Sequence, residues 1–408
     1  MLNGHHPKSL SMTEQEEFAD ALLDQISVEI NEEHDIATLS SRIKEDPDFK
    51  ARFDSPRQIA DQITPDLRQR VGEFIGIKVS PDVKIEFPEL EELKGIKGKK
   101  VFATQDAREF VDKLFLAVAK QSRQGIADLV KLDTAKFLVY STYAKSYISK
   151  ISTTYGDYLD SKIYINNFVL SNYPQIVLYK QGSPYEPGYE MIKSGYVGAL
   201  KMTILEEMVH SIQNNLYEEN KKAVTEVNKI NEDLAKIILT LDDGIVTKLS
   251  DYLQLPAVPD EFPIAKRANL FFMLNPDNFI VNVLGPDVMT FTKVEIDPTI
   301  QQMIPQILET YQRWLLPIQR HHAAFSTMEG MAEFSVQNIL KDDEDFHQYL
   351  ATFMGTDISS YQVRKNIGKD FTGVVFGKYG KETFQILIKN PPTTRELKDP
   401  QLYLKRVF

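Results

Sequence analysis

Residues 201–215 read KMTILEEMVHSIQNN, and the spacing inside this string decides how the chain is read. Glu206 and His210 are four apart, so in a helix both point from one face and could share a cation, with Glu207 one step round beside them. Charged side chains on a helix usually form a solvated face. Here the surrounding stretch, about Met191 to Tyr217, is predicted to be a long helix that is apolar almost throughout. It carries Tyr196, Val197, Ala199, Leu200, Met202, Ile204, Leu205, Met208, Val209 and Ile212. Such a helix is buried, and a buried Glu or His needs a partner or a metal.

A later helix supplies a third group. In TMEGMAEF, Glu329 and Glu333 are again four apart, beside Gly330 and Ala332, whose small side chains let this helix approach another closely. The metallopeptidase motif HExxH uses two histidines at this spacing as ligands, and the Glu between them takes the proton of the attacking water. The string here is Glu-Glu-Met-Val-His, so the change falls on the first ligand position. A set of Glu206, His210 and Glu329 cancels the charge of a divalent ion to about zero, where two histidines and one carboxylate leave about +1. Oxygen-rich ligation also shifts preference from zinc toward harder ions such as manganese, iron or calcium.

The chain has 408 residues and no cysteine, so a metal must be held by His, Asp and Glu. Its hydrophobic share of 42% and charged share of 26% belong to a globular protein of two or three compact units. A net charge of −11 speaks against a broad phosphate-binding surface, and the basic run KGIKGKK at 94–100 is short enough to be a solvated loop. Nucleic acid is therefore not an expected partner. The first residues carry no apolar core of signal-peptide length and no apolar run reaches about 18 residues, so a cytoplasmic protein without a membrane partner is expected.

Residues 12 to about 75 are predicted to form short amphipathic helices, and Gly76 to Lys100 a turn-rich β segment marking a domain edge. Helical periodicity follows over 105–158. Residues 162–180 (KIYINNFVLSNYPQIVLYK) read as two strands joined at Asn-Tyr-Pro, and an edge strand just before the long helix would border a cleft for an extended peptide. Val227, Ile230, Leu234, Ile237 and Leu241 form a narrow helical seam, the proline-rich 256–298 reads as loops and short strands, and helices resume over 299–316 and 318–340 on either side of Pro317.

Together EEMVHSIQNN and EGMAEF resemble the metal helix (HELxHALQDQ) and the following EGxA helix of a prokaryotic branch of the gluzincin, or thermolysin-like, metallopeptidases. Near the C-terminus NPPTTRELKDPQLYL is similar to that branch's PPxSTEQxLHPxxYL, matching at Pro391, Thr394, Pro400, Tyr403 and Leu404 without a gap. The resemblance covers roughly residues 160–408. It implies an α+β fold: a zincin-like metallopeptidase domain with a small sheet and a helical lobe, preceded by N-terminal helices. The implied division is an N-terminal region over 1–100 and a gluzincin-like domain over 101–408 with a helical insertion at about 218–298. By the same resemblance Glu206, His210 and Glu329 are metal ligands, Glu207 the general base, and Glu333 the group that orients the first ligand. Zinc is the implied ion and a peptide or protein the implied substrate. The chain departs from the pattern at Glu206, Arg395 and Asp399. Glu333 cannot accept a proton from a glutamate as it would from a histidine, so one of the pair must be protonated or Glu333 must itself bind the metal.

Other residues offer further chemistry. Tyr379 in FGKYGK is a candidate oxyanion donor. Glu344 and His347 make a second ExxH string beside Glu207 and His210, as in a carboxylate-rich di-metal helical protein. One of His321 and His322 could reach the site, since adjacent side chains on a helix diverge. The expected function is peptide-bond hydrolysis. The competing expectation is an inactive pseudopeptidase that keeps the cleft for binding or as a scaffold.

Overall fold

The computed structural model describes residues 56–89, 92, 93, 96, 104–120, 122–141, 155–166, 170, 189–258, 263–275, 290–353 and 360–407. In chain order they form α1 (Pro56–Ile75), β1 (Lys84–Glu86), α2 (Gln105–Ala119), α3 (Arg123–Leu132), β2 (Gly156–Leu159), β3 (Lys162–Ile165), α4 (Tyr189–His210) and α5 (Asn214–Leu239). There follow α6 (Asp243–Tyr252), α7 (Pro263–Leu274), α8 (Pro298–Met303), α9 (Ile307–Ile339), α10 (Glu344–Phe353), α11 (Ser360–Tyr379), α12 (Glu382–Lys389), α13 (Thr394–Lys398) and α14 (Pro400–Val407). These residues are mostly helical with one three-stranded sheet, an α+β arrangement in the broad sense. Among them no helix is long and apolar enough to cross a membrane. The helices expected over 12–55, and the half of the strand pair over 171–180, lie outside the described residues.

The chain divides into two compact units, each with its own hydrophobic core. One comprises residues 1–30, 101–149 and 221–319; the other 31–100, 150–220 and 320–408. In the first, Trp314 and Tyr311 of α9 are buried with Phe271 of α7, Phe137, and Leu234 and Ile238 of α5. Helix α7 occupies part of the stretch expected to be loops and short strands. Pro263 is its first residue, where a missing N–H costs nothing, so a proline taken as a breaker is a helix start. Pro317 likewise sits inside the continuous α9, while the break between α8 and α9 falls at Ile304, directly before Pro305.

In the second unit the sheet order is β1-β3-β2, with β1 parallel and β2 antiparallel to β3. The partner of the expected strand at 162–165 therefore precedes it, and 156–159, expected to be helical, is a strand. The two-residue turn that joins them, Asp160-Ser161, has positive φ at both positions (50° and 60°), as a tight hairpin requires, without the glycine that would have announced it. Ile163 and Ile165 are buried.

Helix α4 runs through the middle of this unit's core. Leu200, Ile204, Leu205, Met208 and Val209 are all fully buried, and burial of such side chains contributes roughly 1.5–3 kcal/mol each. At Gly198 the α10 backbone presses so close that an added Cβ would stand 2.0 Å from the Asp345 carbonyl oxygen. One turn on, the Lys201 ammonium binds Asp343 at 2.8 Å and Asp345 at 2.9 Å. Both contacts tie α4, ahead of its last turn, to the start of α10.

Candidate metal centre

That last turn carries Glu206, Glu207 and His210, and the helix ends at His210 instead of continuing to Tyr217. The reason lies in Gln213, which is buried in the break before α5. Its Nε2 donates to the Met328 carbonyl at 3.1 Å, and its Oε1 lies 2.8 Å from His210 Nδ1. The backbone carbonyl admits a donor alone, which fixes the amide's orientation and leaves Oε1 to accept from the imidazole. His210 is thereby set as the Nδ1–H tautomer, with the Nε2 lone pair turned outward. Nε2 stands 3.8 Å from Glu329 Oε1.

Glu206, His210 and Glu329 each offer one ligand atom, and these atoms all lie within 4.8 Å of one another. Ligands of one ion at bond lengths of about 2.1 Å are roughly 3.4 Å apart in a tetrahedral set, so small side-chain adjustments bring the three into register. An imidazole nitrogen and two carboxylates, partly shielded from solvent and with the imidazole already oriented, form a donor set that suits a divalent cation.

Helix α11 completes the cluster with a residue that the sequence reading missed. Lys365, whose side chain is 8% exposed, places Nζ 2.5 Å from Glu206 Oε1 and 3.2 Å from Glu333 Oε2. Both carboxylates thus share an internal ammonium, where the sequence reading expects a protonated carboxyl or a metal-bound Glu333. Gln337 donates to the other Glu333 oxygen at 2.6 Å. In VRKNIGKDF a lysine reads as a solvated charge, and the glycine three residues on is the one local cue to a close helix crossing.

Strand β2 passes directly beside the general-base candidate. A Cβ added at Gly156 would lie 2.5 Å from Thr203 Cγ2 and 3.6 Å from Glu207 Cγ, so only a glycine lets the strand lie this close to α4. Glu207 is buried.

The remaining candidates lie elsewhere. Tyr379 is 14 residues beyond Lys365 on the same helix, about 21 Å along its axis, with the Lys378 ammonium 5.1 Å from its ring centroid. His347 is exposed and its Nε2 is 2.7 Å from the Lys341 carbonyl, while Glu344 is also exposed, so the second ExxH string does not join the first. His321 Nδ1 contacts Asn220 Oδ1 at 2.6 Å, and His322 Nδ1 accepts from Arg364 at 2.9 Å. Burial, reinforced by the Arg364 guanidinium, pushes His321 down to about 3 and His322 well below the ordinary imidazole range. Both are neutral packing groups at physiological pH.

The C-terminal motif is a clamp. Thr393 caps α13 through a capping box with Glu396, whose carboxylate also receives Arg406 Nε at 2.6 Å, and Tyr403 donates to the Asn390 carbonyl at 2.7 Å. Phe371 of α11 meets the Tyr403 ring edge-on.

No family model matches the chain, and neither a curated protein nor a solved structure matches it. The functional reading therefore stands on the cluster itself.

Proposed function

We propose that the chain is a metal-dependent peptidase of zincin-like architecture, and the observation that carries this reading is the convergence of Glu206, His210 and Glu329 within 4.8 Å. These three would hold the ion. When bound, a divalent cation supplies a Lewis acid for the scissile carbonyl and lowers the pKa of the attacking water. Glu207, in the same helical turn, takes the proton of that water as its oxygen bonds to the carbonyl carbon. It passes the proton to the amine nitrogen as the C–N bond breaks. The close packing of β2 against Glu207 at Gly156 supports a reading in which an extended peptide adds to this strand. Zinc follows from the family resemblance, while the two-carboxylate set favours a harder ion such as manganese or iron.

One observation favours the second reading, an inactive pseudopeptidase. The Lys365 ammonium offsets one of the two negative charges of Glu206 and Glu333, so the cluster holds an internal cation without a metal. A fluorogenic peptide library, assayed with zinc and with manganese, separates the two. A peptidase shows hydrolysis that Glu207→Gln lowers by roughly 10²–10⁴-fold with metal content retained, the usual contribution of a general base. Hydrolysis that survives Glu207→Gln, or none with either ion, contradicts the assignment.

A further inference from the structure

We propose that Lys365 is the positioning residue that makes Glu206 usable as a metal ligand, so that Glu206–Lys365–Glu333 acts as one unit in place of a histidine and its carboxylate partner. This inference rests on the metal-centre reading above. A metal-bound imidazole normally donates its second N–H to a carboxylate, which fixes the ring and strengthens the ligand. Glutamate has no second N–H to give. In this chain the ammonium spans the gap, donating to Glu206 Oε1 while it is ion-paired with Glu333 Oε2.

The helix crossing that delivers the ammonium is built for it. An added Cβ at Gly368 would stand 1.7 Å from the Ser326 carbonyl oxygen, and one at Gly330 would stand 2.1 Å from the Gly368 carbonyl carbon. Lys365 and Gly368 are three apart on α11, and Gly330 and Glu333 three apart on α9, so the glycine contact and the charge contact lie on the same two faces. Backbone contact at the glycines brings the lysine to the carboxylates.

The charge balance then changes. Glu206, Lys365 and Glu333 together carry about one negative charge, as a neutral histidine and its carboxylate partner do, whereas the two carboxylates without the ammonium carry about two. A carboxylate with one hydrogen bond from an ammonium still has lone pairs for a metal. Glu206→His by itself does not improve such a site. It leaves Lys365 and the new imidazole as two donors competing for Glu333.

A double-mutant cycle read by isothermal titration with zinc and manganese tests this, using the full chain as wild type, Lys365→Met, Glu206→His and the double variant, with circular dichroism to establish folding. Lys365→Met is expected to weaken binding at least ten-fold, in the range seen when the partner of a metal ligand is removed. The double variant is expected to recover affinity, now with preference for zinc. Wild-type affinity in a folded Lys365→Met protein overturns the inference and leaves the metal centre standing; a wild-type chain that binds neither ion overturns both. Should Lys365→Met not fold, the comparison of Glu206→His with the double variant decides, because no carboxylate pair is stranded in the latter. The double must bind zinc at least ten-fold more tightly, and equal affinities overturn the inference.

Discussion

Gly330 and Gly368 meet backbone to backbone where α9 crosses α11, with an added Cβ at Gly330 only 2.4 Å from the Gly368 Cα. Both helices carry a charged residue of the cluster one turn from this contact, so the distance between the backbones sets the distance between Lys365 and Glu333.

Gly368→Ala should force the helices apart. Overpacking of this kind costs about 1–3 kcal/mol, at the upper end or above where the obstructing atom is backbone, and the Ser326 carbonyl is backbone. Thermal denaturation is expected to show a lowered Tm together with a weakened affinity for manganese. By contrast Gly377→Ala on the same helix, where an added Cβ meets nothing within 4 Å, should be neutral or slightly stabilising. Equal effects at the two positions would show that the crossing is not tight.

Gln213→Leu removes the acceptor of His210 Nδ1–H and the donor to the Met328 carbonyl. The imidazole is then no longer held in one tautomer, and metal affinity is expected to fall about 10- to 100-fold. Gln213→Glu, which keeps an acceptor for the imidazole and loses the amide donor, should retain more affinity than Gln213→Leu. Titration of the three proteins with zinc checks the order.

Acid should weaken the C-terminal clamp in a defined window. Burial alone raises the Glu396 carboxyl, but the Arg406 guanidinium and the Thr393 amide outweigh it and carry the group below the ordinary glutamate value of 4.5. A carboxylate with a depressed folded-state pKa contributes stability above its unfolded value, and that contribution is lost as pH falls through the folded one. Glu396→Gln should therefore lower stability by about 1 kcal/mol near neutrality, the size of a typical cap contribution. Melting curves of the variant and wild type should converge below about pH 4.5. A difference that grows toward acid would reverse the sign of the argument.

How far the sequence disclosed this arrangement depends on the residue. The i, i+4 pairing of Glu206 with His210, the apolar helix around them, Glu329, and the close approach at Gly330 are all periodic or compositional signals, and local spacing carries them. Lys365 is different. In VRKNIGKDF a lysine reads as a solvated charge, and its role depends on a helix crossing that no local pattern encodes. Gln213 lies three residues beyond His210, yet it acts by turning into a break where periodicity predicts continuous helix. The hairpin at Asp160-Ser161 lacked its usual glycine, and Pro263 and Pro317 read as breakers although one begins a helix and the other lies inside one. Tyr379 is a candidate only by its neighbours in sequence, and helix length separates it from the cluster.

If Glu206, His210 and Glu329 bind one divalent cation, the metal content of the purified chain records it. Protein prepared without chelator, then dialysed to equilibrium against zinc or manganese and measured by inductively coupled plasma mass spectrometry, should retain about one ion per chain. His210→Ala and Glu329→Ala should each lose at least nine-tenths of it while remaining folded by circular dichroism. A wild-type chain that retains no ion, or a His210→Ala variant that retains as much as wild type, would contradict the account.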